Sequence, residues 1–269
     1  MKELAQILKE QITNFPIIYR LSSYEDRATY QSHYLGLLWQ VLNPAIQIGI
    51  YYIVFGLGLN GNTQINGTPF IVWMLVGIVQ WFFISSSMLG TSNSIVKQIV
   101  MVSKMKFPVS ILPTVNIVSN LMTYIPMMLI TVLVLFLYGI TPNIYWIQFL
   151  YYFLAMIIFL VSCGILFATL TILVRDFHIL LQSVIRLMLY VSGAIWNIES
   201  RNLPDWMIGL LKLNPVYYLI NGFRESLLYE KWFWENGNYT LLFWSMTLLI
   251  FMLGSHLHLK FRAKFVDFV

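Results

Sequence analysis

"IYWIQFLYYFLAMIIFLVSCGILFATLTILV", residues 144–174, runs its whole length without a formal charge. About 20 apolar residues cross the hydrocarbon of a bilayer, so this run is long enough to cross and to tilt or extend beyond it. Hydrocarbon offers the backbone no hydrogen-bond partner, which leaves the α-helix as the form such a run takes. Five further apolar stretches lie at roughly 40–59, 69–90, 110–138, 179–197 and 239–259. Together they predict an all-α integral membrane protein with six transmembrane helices. Composition agrees: 59% of residues are hydrophobic and 10% charged, against roughly 25% charged in soluble domains. Mean hydropathy is +0.74. There is no internal repeat, so residues 1–269 read as a single transmembrane domain.

The start, MKELAQILKEQITNF, is too charged for a cleavable signal peptide. Leu4, Ile7, Leu8, Ile12 and Phe15 recur at helical spacing, with Lys2, Glu3, Lys9 and Glu10 off that face. The pattern predicts an amphipathic helix on the membrane surface, within an interfacial region spanning 1–38. Lys and Arg set the orientation. With the N-terminus inside, cytoplasmic segments hold Lys2, Lys9, Arg20, Arg27, Lys97, Lys104, Lys106, Arg175, Arg186, Lys260, Arg262 and Lys264; outer segments hold only Arg201, Lys212, Arg224 and Lys231. Both termini are therefore expected in the cytoplasm of a multi-pass plasma-membrane protein.

Lys97, Lys104 and Lys106 are the only charged residues between Arg27 and Arg175. They sit in SIVKQIVMVSKMKFPVSILP (94–113), where Ile95, Ile99, Val102 and Phe107 form an apolar pattern closed by Pro108. Such a segment suits a partner protein's groove, or serves as a plain positive anchor.

Several functions are excluded or disfavoured. The basic residues are spread among the ends of apolar runs, so the net charge of +5 does not point to nucleic acid. Cys163 is the single cysteine, which rules out a disulfide framework and a thiolate metal site. No phosphate-loop motif is present, and none of the six apolar runs carries a central carboxylate, which disfavours a proton-driven carrier. His256 and His258 stand two apart and point to different sides of a helix; no metal site is expected.

Segment 198–238 breaks the pattern of long spans. Within it, LNPVYYLINGFRESLL (213–228) resembles the signature of ATP-binding-cassette permeases of the ABC-2 class, an Asn-Pro followed by apolar residues and an aromatic-Arg pair. YQSHYLGLLWQVLNP (30–44), KMKFPVSILP (104–113) and RDF (175–177) are similar to landmarks of its polysaccharide-export branch, in the same order. YVSGAIWNIESR (190–201) and HLHLKFRAKFVDFV (256–269) look most like wall teichoic acid translocation permeases. One departure is Ser192-Gly193-Ala194 followed by Trp196, where many O-antigen exporters carry a Ser-Pro-Val type sequence.

The resemblance implies a non-catalytic permease that pairs with a second copy of itself and two copies of a separate ABC ATPase. This chain would hold no cofactor, and ATP and Mg would bind the ATPase. It implies export of a polyprenyl-pyrophosphate-linked cell-wall polymer, most closely teichoic acid. The alternatives are an ABC-2 exporter of an O-antigen-like polysaccharide, lipid or drug, or a membrane scaffold without transport. It also implies a re-entrant helical hairpin between spans five and six, within an extracellular region 198–238, with Asn214, Pro215, Arg224 and Glu225 shaping its turn. ATPase coupling would fall to Ile99, Val102, Lys104, Lys106, Phe107 and Pro108, with Arg175 and Asp176 as a second contact. Arg20 and Arg27 would pair with pyrophosphate or with anionic lipid, beside Tyr34 and Trp39 at the opening of span one. Tyr51, Tyr52, Phe55, Trp73, Trp81, Phe82 and Phe83 would line the path or face lipid and neighbouring helices.

Overall fold

A computed structural model describes residues 2–30, 34–54, 58, 63–99, 107–198 and 203–267. Its helices, in chain order, are α1 (Lys2–Thr13), α2 (Phe15–Tyr30), α3 (Trp39–Tyr51), α4 (Phe70–Ser92), α5 (Ser94–Lys97), α6 (Leu112–Leu137), α7 (Gln148–Leu173), α8 (Phe177–Val191), α9 (Asp205–Lys212), α10 (Pro215–Leu227) and α11 (Gly237–Phe261). Short 3-10 turns lengthen α6, α7 and α11. Strands β1 (Gln64–Ile65) and β2 (Thr68–Pro69) form a small antiparallel hairpin. Its turn residues, Asn66 and Gly67, both take positive φ, the conformation that two-residue hairpin loops demand.

Four helices are long and apolar enough to cross a membrane: Phe70–Ser92, Val109–Leu137, Ile144–Leu173 and Phe233–Phe265. The protein is a multi-pass membrane protein, but the six expected spans are corrected to four among the described residues. Helix α3 has 13 residues and α8 has 15, so at 1.5 Å per residue they reach only about 20 and 22 Å against a core about 30 Å thick. The apolar run at 179–197 ends early as a helix because Gly193 turns the chain at φ +66°.

Two further expectations are corrected. Among the described residues no interface helix is identified: α1 does not present its apolar face as a unit. Ile7 is buried against Ile165 and Phe251 with Leu4 packed alongside, while Leu8, Ile12 and Phe15 stay exposed. An amphipathic period shows that one stripe is apolar, not whether protein or lipid covers it. Among the described residues no re-entrant hairpin is identified either. The expected pair of short helices, α9 and α10, does form, but α10 is buried against α4 and α7, so its cover is the protein itself.

The bundle has two distinct ends. At one, Ile95, Leu112, Ala168, Ile172 and Phe265 share a single cluster. That gathers α5 just after α4, the start of α6, the end of α7 and the turn after α11. At the other end, Phe159 meets Phe243 with ring centroids 5.8 Å apart, and Phe243 stacks on Tyr218 at 4.7 Å. Helix α8 connects the two: His178 bonds Ser92 at the first end, and the turn after α8 meets Arg224 at the second. Close approach of α10 to α7 depends on Gly222, since a Cβ there would lie 2.0 Å from the Tyr152 ring. Tyr152 is fully buried and has nowhere to swing. Gly222→Ala is expected to cost about 1–3 kcal/mol through overpacking, read as a lower melting temperature in detergent; an unchanged melting curve would remove Gly222 from this role.

Candidate functional site

Three regions bring polar chemistry into the apolar bundle. The first is the end carrying segment 94–111. Ile95 is fully buried in the cluster there, and Ile99 and Phe107 pack half-buried against it. The N-terminal helices hold both flanks of the segment. Gln98 donates to the Glu25 carboxylate; Gln11 donates to the Ser110 carbonyl at 2.8 Å. Ser110 Oγ donates to Glu10, which also accepts from Arg262 Nη1 at 3.0 Å. Glu10 thus joins α1, the start of α6 and the turn after α11. Burial works against its charge, but the Ser110 hydroxyl, Arg262 and Gln6 together outweigh that and hold its pKa below the ordinary 4.5. At Glu25, burial outweighs Lys97 and Gln98, and its pKa is raised.

Pro108 precedes the 3-10 turn at 109–111. Arg175 and Asp176 are exposed in the turn between α7 and α8. Arg175 borders a cleft of about 430 Å³ together with Asn93, Thr171 and His178. Val102, Lys104 and Lys106 lie outside the described residues, as does Phe55. Arg20 is exposed on α2, Tyr34 fully so, and Trp39 half-buried at the start of α3. Arg27 falls on the last turns of α2, and its side chain lies outside what the structure describes.

The second region is a cleft of about 320 Å³ between α3, α4 and α6. Its lining carries no charge. Asn43 and Gln47 enter from α3, Ser85 and Ser86 from α4, and Asn120 and Thr123 from α6, with Phe82 and Phe83 beside them. Asn120 Nδ2 donates to Ser87 Oγ at 3.3 Å and to Asn116 Oδ1 at 3.2 Å. Tyr124, also in the lining, donates to Gln80 Oε1 at 2.7 Å, and the Gln80 amide points to Met128 Sδ at 3.2 Å. Of the aromatic residues expected on a path, and among those described, only Phe82 and Phe83 line this cleft. Tyr51 packs half-buried against Phe82, with ring centroids 6.3 Å apart. Tyr52 packs on the Phe70–Trp73–Met74 cluster. Trp73 and Trp81 are buried inside the chain's own core.

The third region is the core around α10. Asn214 caps this helix by accepting from the Val216 N–H at 3.0 Å, and Pro215 sits at its first position, where the missing N–H costs nothing. Arg224 is 1% exposed. Its guanidinium donates to the carbonyls of Trp73 at 3.2 Å, Gly193 at 2.8 Å and Ala194 at 2.8 Å. It also lies 3.3 Å from the centroid of the Trp73 ring, a distance suited to cation–π attraction. Gly77 makes room for it: a Cβ there would fall 2.1 Å from Arg224 Nη2. Glu225, next in sequence, accepts from Asn221 at 3.0 Å and Asn236 at 2.7 Å.

Sequence reasoning missed Gly77, Gln80, Asn116, Asn120 and the Glu10–Ser110–Arg262 link. A signal existed for the amides, because Asn116 and Asn120 stand one helical turn apart inside an apolar run. None existed for Glu10 and Ser110, which are 100 positions apart. Among the described residues, no group of His, Cys, Asp and Glu is arranged to hold a metal ion.

Two expected outcomes test these contacts. Arg224→Met orphans the carbonyls of Gly193 and Ala194, each worth about 1–3 kcal/mol, and should lower the melting temperature more than Arg224→Lys, which keeps the charge but loses the planar fork. Glu10 has a depressed pKa in the folded chain, so its stabilisation is present above the unfolded value of 4.5. That stabilisation is lost as pH falls through the lower folded value. Wild type should therefore melt above Glu10→Gln at neutral pH, with the gap closing below pH 4.5; a gap independent of pH would count against the link.

Comparison with known proteins completes the description. The family model described as "ABC-2 type transporter" matches residues 18–228. The O-antigen export system permease protein RfbA of Klebsiella pneumoniae is 23% identical over 254 residues, covering 94% of this chain and 95% of that protein. Its namesake in Myxococcus xanthus is 24% identical over 230 residues, covering 84% and 85% respectively. A further Klebsiella pneumoniae protein of that name is 21% identical over 254 residues.

Proposed function

Because this chain belongs to the ABC-2 type transporter family, we propose that it is the membrane subunit of an ATP-driven exporter that moves a polysaccharide out of the cell. The observation that carries the reading is the near end-to-end similarity to permeases named for O-antigen export. In this reading ATP and Mg bind a partner ATPase subunit. Two copies of the chain assemble with two copies of that ATPase.

The substrate in this reading is an O-antigen-like polysaccharide on a polyprenyl pyrophosphate. Teichoic acid is the second reading, favoured by the resemblance of residues 256–269. A hydrophilic polymer needs hydrogen-bonding groups at membrane depth without a charge that would trap it. The uncharged amides and hydroxyls between α3, α4 and α6, flanked by Phe82 and Phe83, supply that combination. Tyr51, packed against Phe82, then supports the wall from behind. Arg20 and Arg27, beside Tyr34 and Trp39, receive the pyrophosphate at the membrane surface.

In this reading the end bearing segment 94–111, with Lys97, Lys104 and Lys106, faces the cytoplasm. Glu3–His256 and Glu10–Arg262 hold the two ends of the chain together on that side. There the ATPase docks on the segment from Ile99 to Pro108. Val102 is its apolar anchor, with Lys104 and Lys106 steering it electrostatically at the rim. Ile99 and Phe107, packed on the inner cluster, pass the movement to α6 and α7. Arg175 and Asp176 are a second contact.

Purification of the tagged chain from its host should bring down an ATPase carrying a phosphate loop, and depletion should remove surface polysaccharide. Lys104→Glu with Lys106→Glu should weaken ATPase recovery and export while leaving membrane insertion intact. Loss of surface teichoic acid alone would favour the second reading. Normal surface polymers of both kinds after depletion would overturn the exporter reading.

A further inference from the structure

A separate cavity of about 90 Å³ opens where α9, α10 and the start of α11 meet, at the opposite end of the bundle from segment 94–111. Glu225, 6% exposed, forms its floor. The carboxylate accepts from the Asn221 and Asn236 amides, and Lys231 Nζ stands 3.7 Å away while donating to Asn236 Oδ1 at 2.8 Å. Tyr217, Tyr218 and Tyr239 supply the walls, with Lys212 also in the lining. Lys212 and Tyr217 have partners of their own.

The chemistry narrows the ligand. An anion entering this space would face the Glu225 carboxylate, while Lys231 is already engaged by Asn236 and Glu225. An apolar group would strip water from the carboxylate and amides and return no hydrogen bond. A carboxylate has about four acceptor positions; the two amide bonds leave room for a hydroxyl donor. Tyrosine rings present flat apolar faces with a polar tip, which suits the C–H face of a sugar ring. The small volume takes the edge of one ring, well short of the roughly 300–1,000 Å³ that encloses a whole ligand.

We propose that this cavity binds an uncharged, hydroxyl-rich sugar residue, with Tyr239 and the Asn221–Glu225–Asn236 set making the contact. The proposal rests on the polysaccharide reading above and adds a contact point for the polymer outside the α3–α4–α6 cleft. It also predicts selectivity for neutral over phosphorylated residues at this place.

The test uses the full chain in lipid nanodiscs, with methyl α-glucopyranoside, N-acetylglucosamine and glucose 6-phosphate as probes, followed by saturation-transfer NMR. A neutral probe should receive saturation, and Tyr239→Ala should weaken its binding by roughly tenfold, about the upper end of a single aromatic contact. Tyr239 is 38% exposed, so an unchanged melting temperature of the variant will separate lost binding from lost folding. Tyr239→Phe should keep most of the affinity. Absence of transfer from both neutral probes, equal affinity in Tyr239→Ala, or tighter binding of glucose 6-phosphate would overturn the proposal. A depletion strain keeps the two readings apart. Unchanged surface polysaccharide with sugar binding intact sinks the exporter reading and leaves the site standing. Lost polysaccharide with no binding sinks the site alone.

Discussion

One buried cation organises the opposite end of this bundle. A guanidinium at 1% exposure would be prohibitively costly without partners; Arg224 has three carbonyls and the face of Trp73. Two of those carbonyls belong to the turn just after α8, the third to α4. Arg224 therefore fixes where α8 stops, how α10 lies against α4, and which way Trp73 faces. Gly77 is the space this arrangement requires, and Gly193 is the left-handed turn that aims a carbonyl at it.

The other end is held by a different device built on the same physics. Glu10 collects a hydroxyl from the start of α6 and a guanidinium from the turn after α11, while Glu25 holds Gln98. Segment 94–111 is thereby tied at both flanks to the N-terminal helices and seated on the ends of α6 and α7. Ile95, Ile99 and Phe107 are the side chains that seat it there. Between the two ends, the uncharged cleft offers amides and hydroxyls at membrane depth. The lining of that cleft carries no charge, whereas Glu10, Glu25 and Arg262 stand at one end of the bundle and Arg224 and Glu225 at the other.

Much of this was legible in the residues. Long uncharged runs imply helices in lipid because hydrocarbon leaves the backbone no other partner, and the four long helices fall where those runs lie. Landmarks such as LNPVYYLINGFRESLL pointed to the ABC-2 class, and the family match covers them. The number of spans was misread because hydropathy counts apolar residues, whereas a helix ends where its backbone turns. Residues 179–197 look continuous in composition, yet the helix stops at Val191 and Gly193 reverses the chain. The surface helix was misread for a related reason: Ile7 is as apolar whether it meets lipid or Phe251.

By itself, then, the sequence determined the class of protein, the family, and the segregation of charge, since each follows from residue type and local order along one chain. Only the tertiary structure decided which polar groups meet. Arg224 and Trp73 lie 151 positions apart, Glu10 and Arg262 lie 252 apart, and nothing local in either stretch marks its partner. A hydrogen bond depends on separation in space and on the loss of water around it, and both are set by packing the helices together.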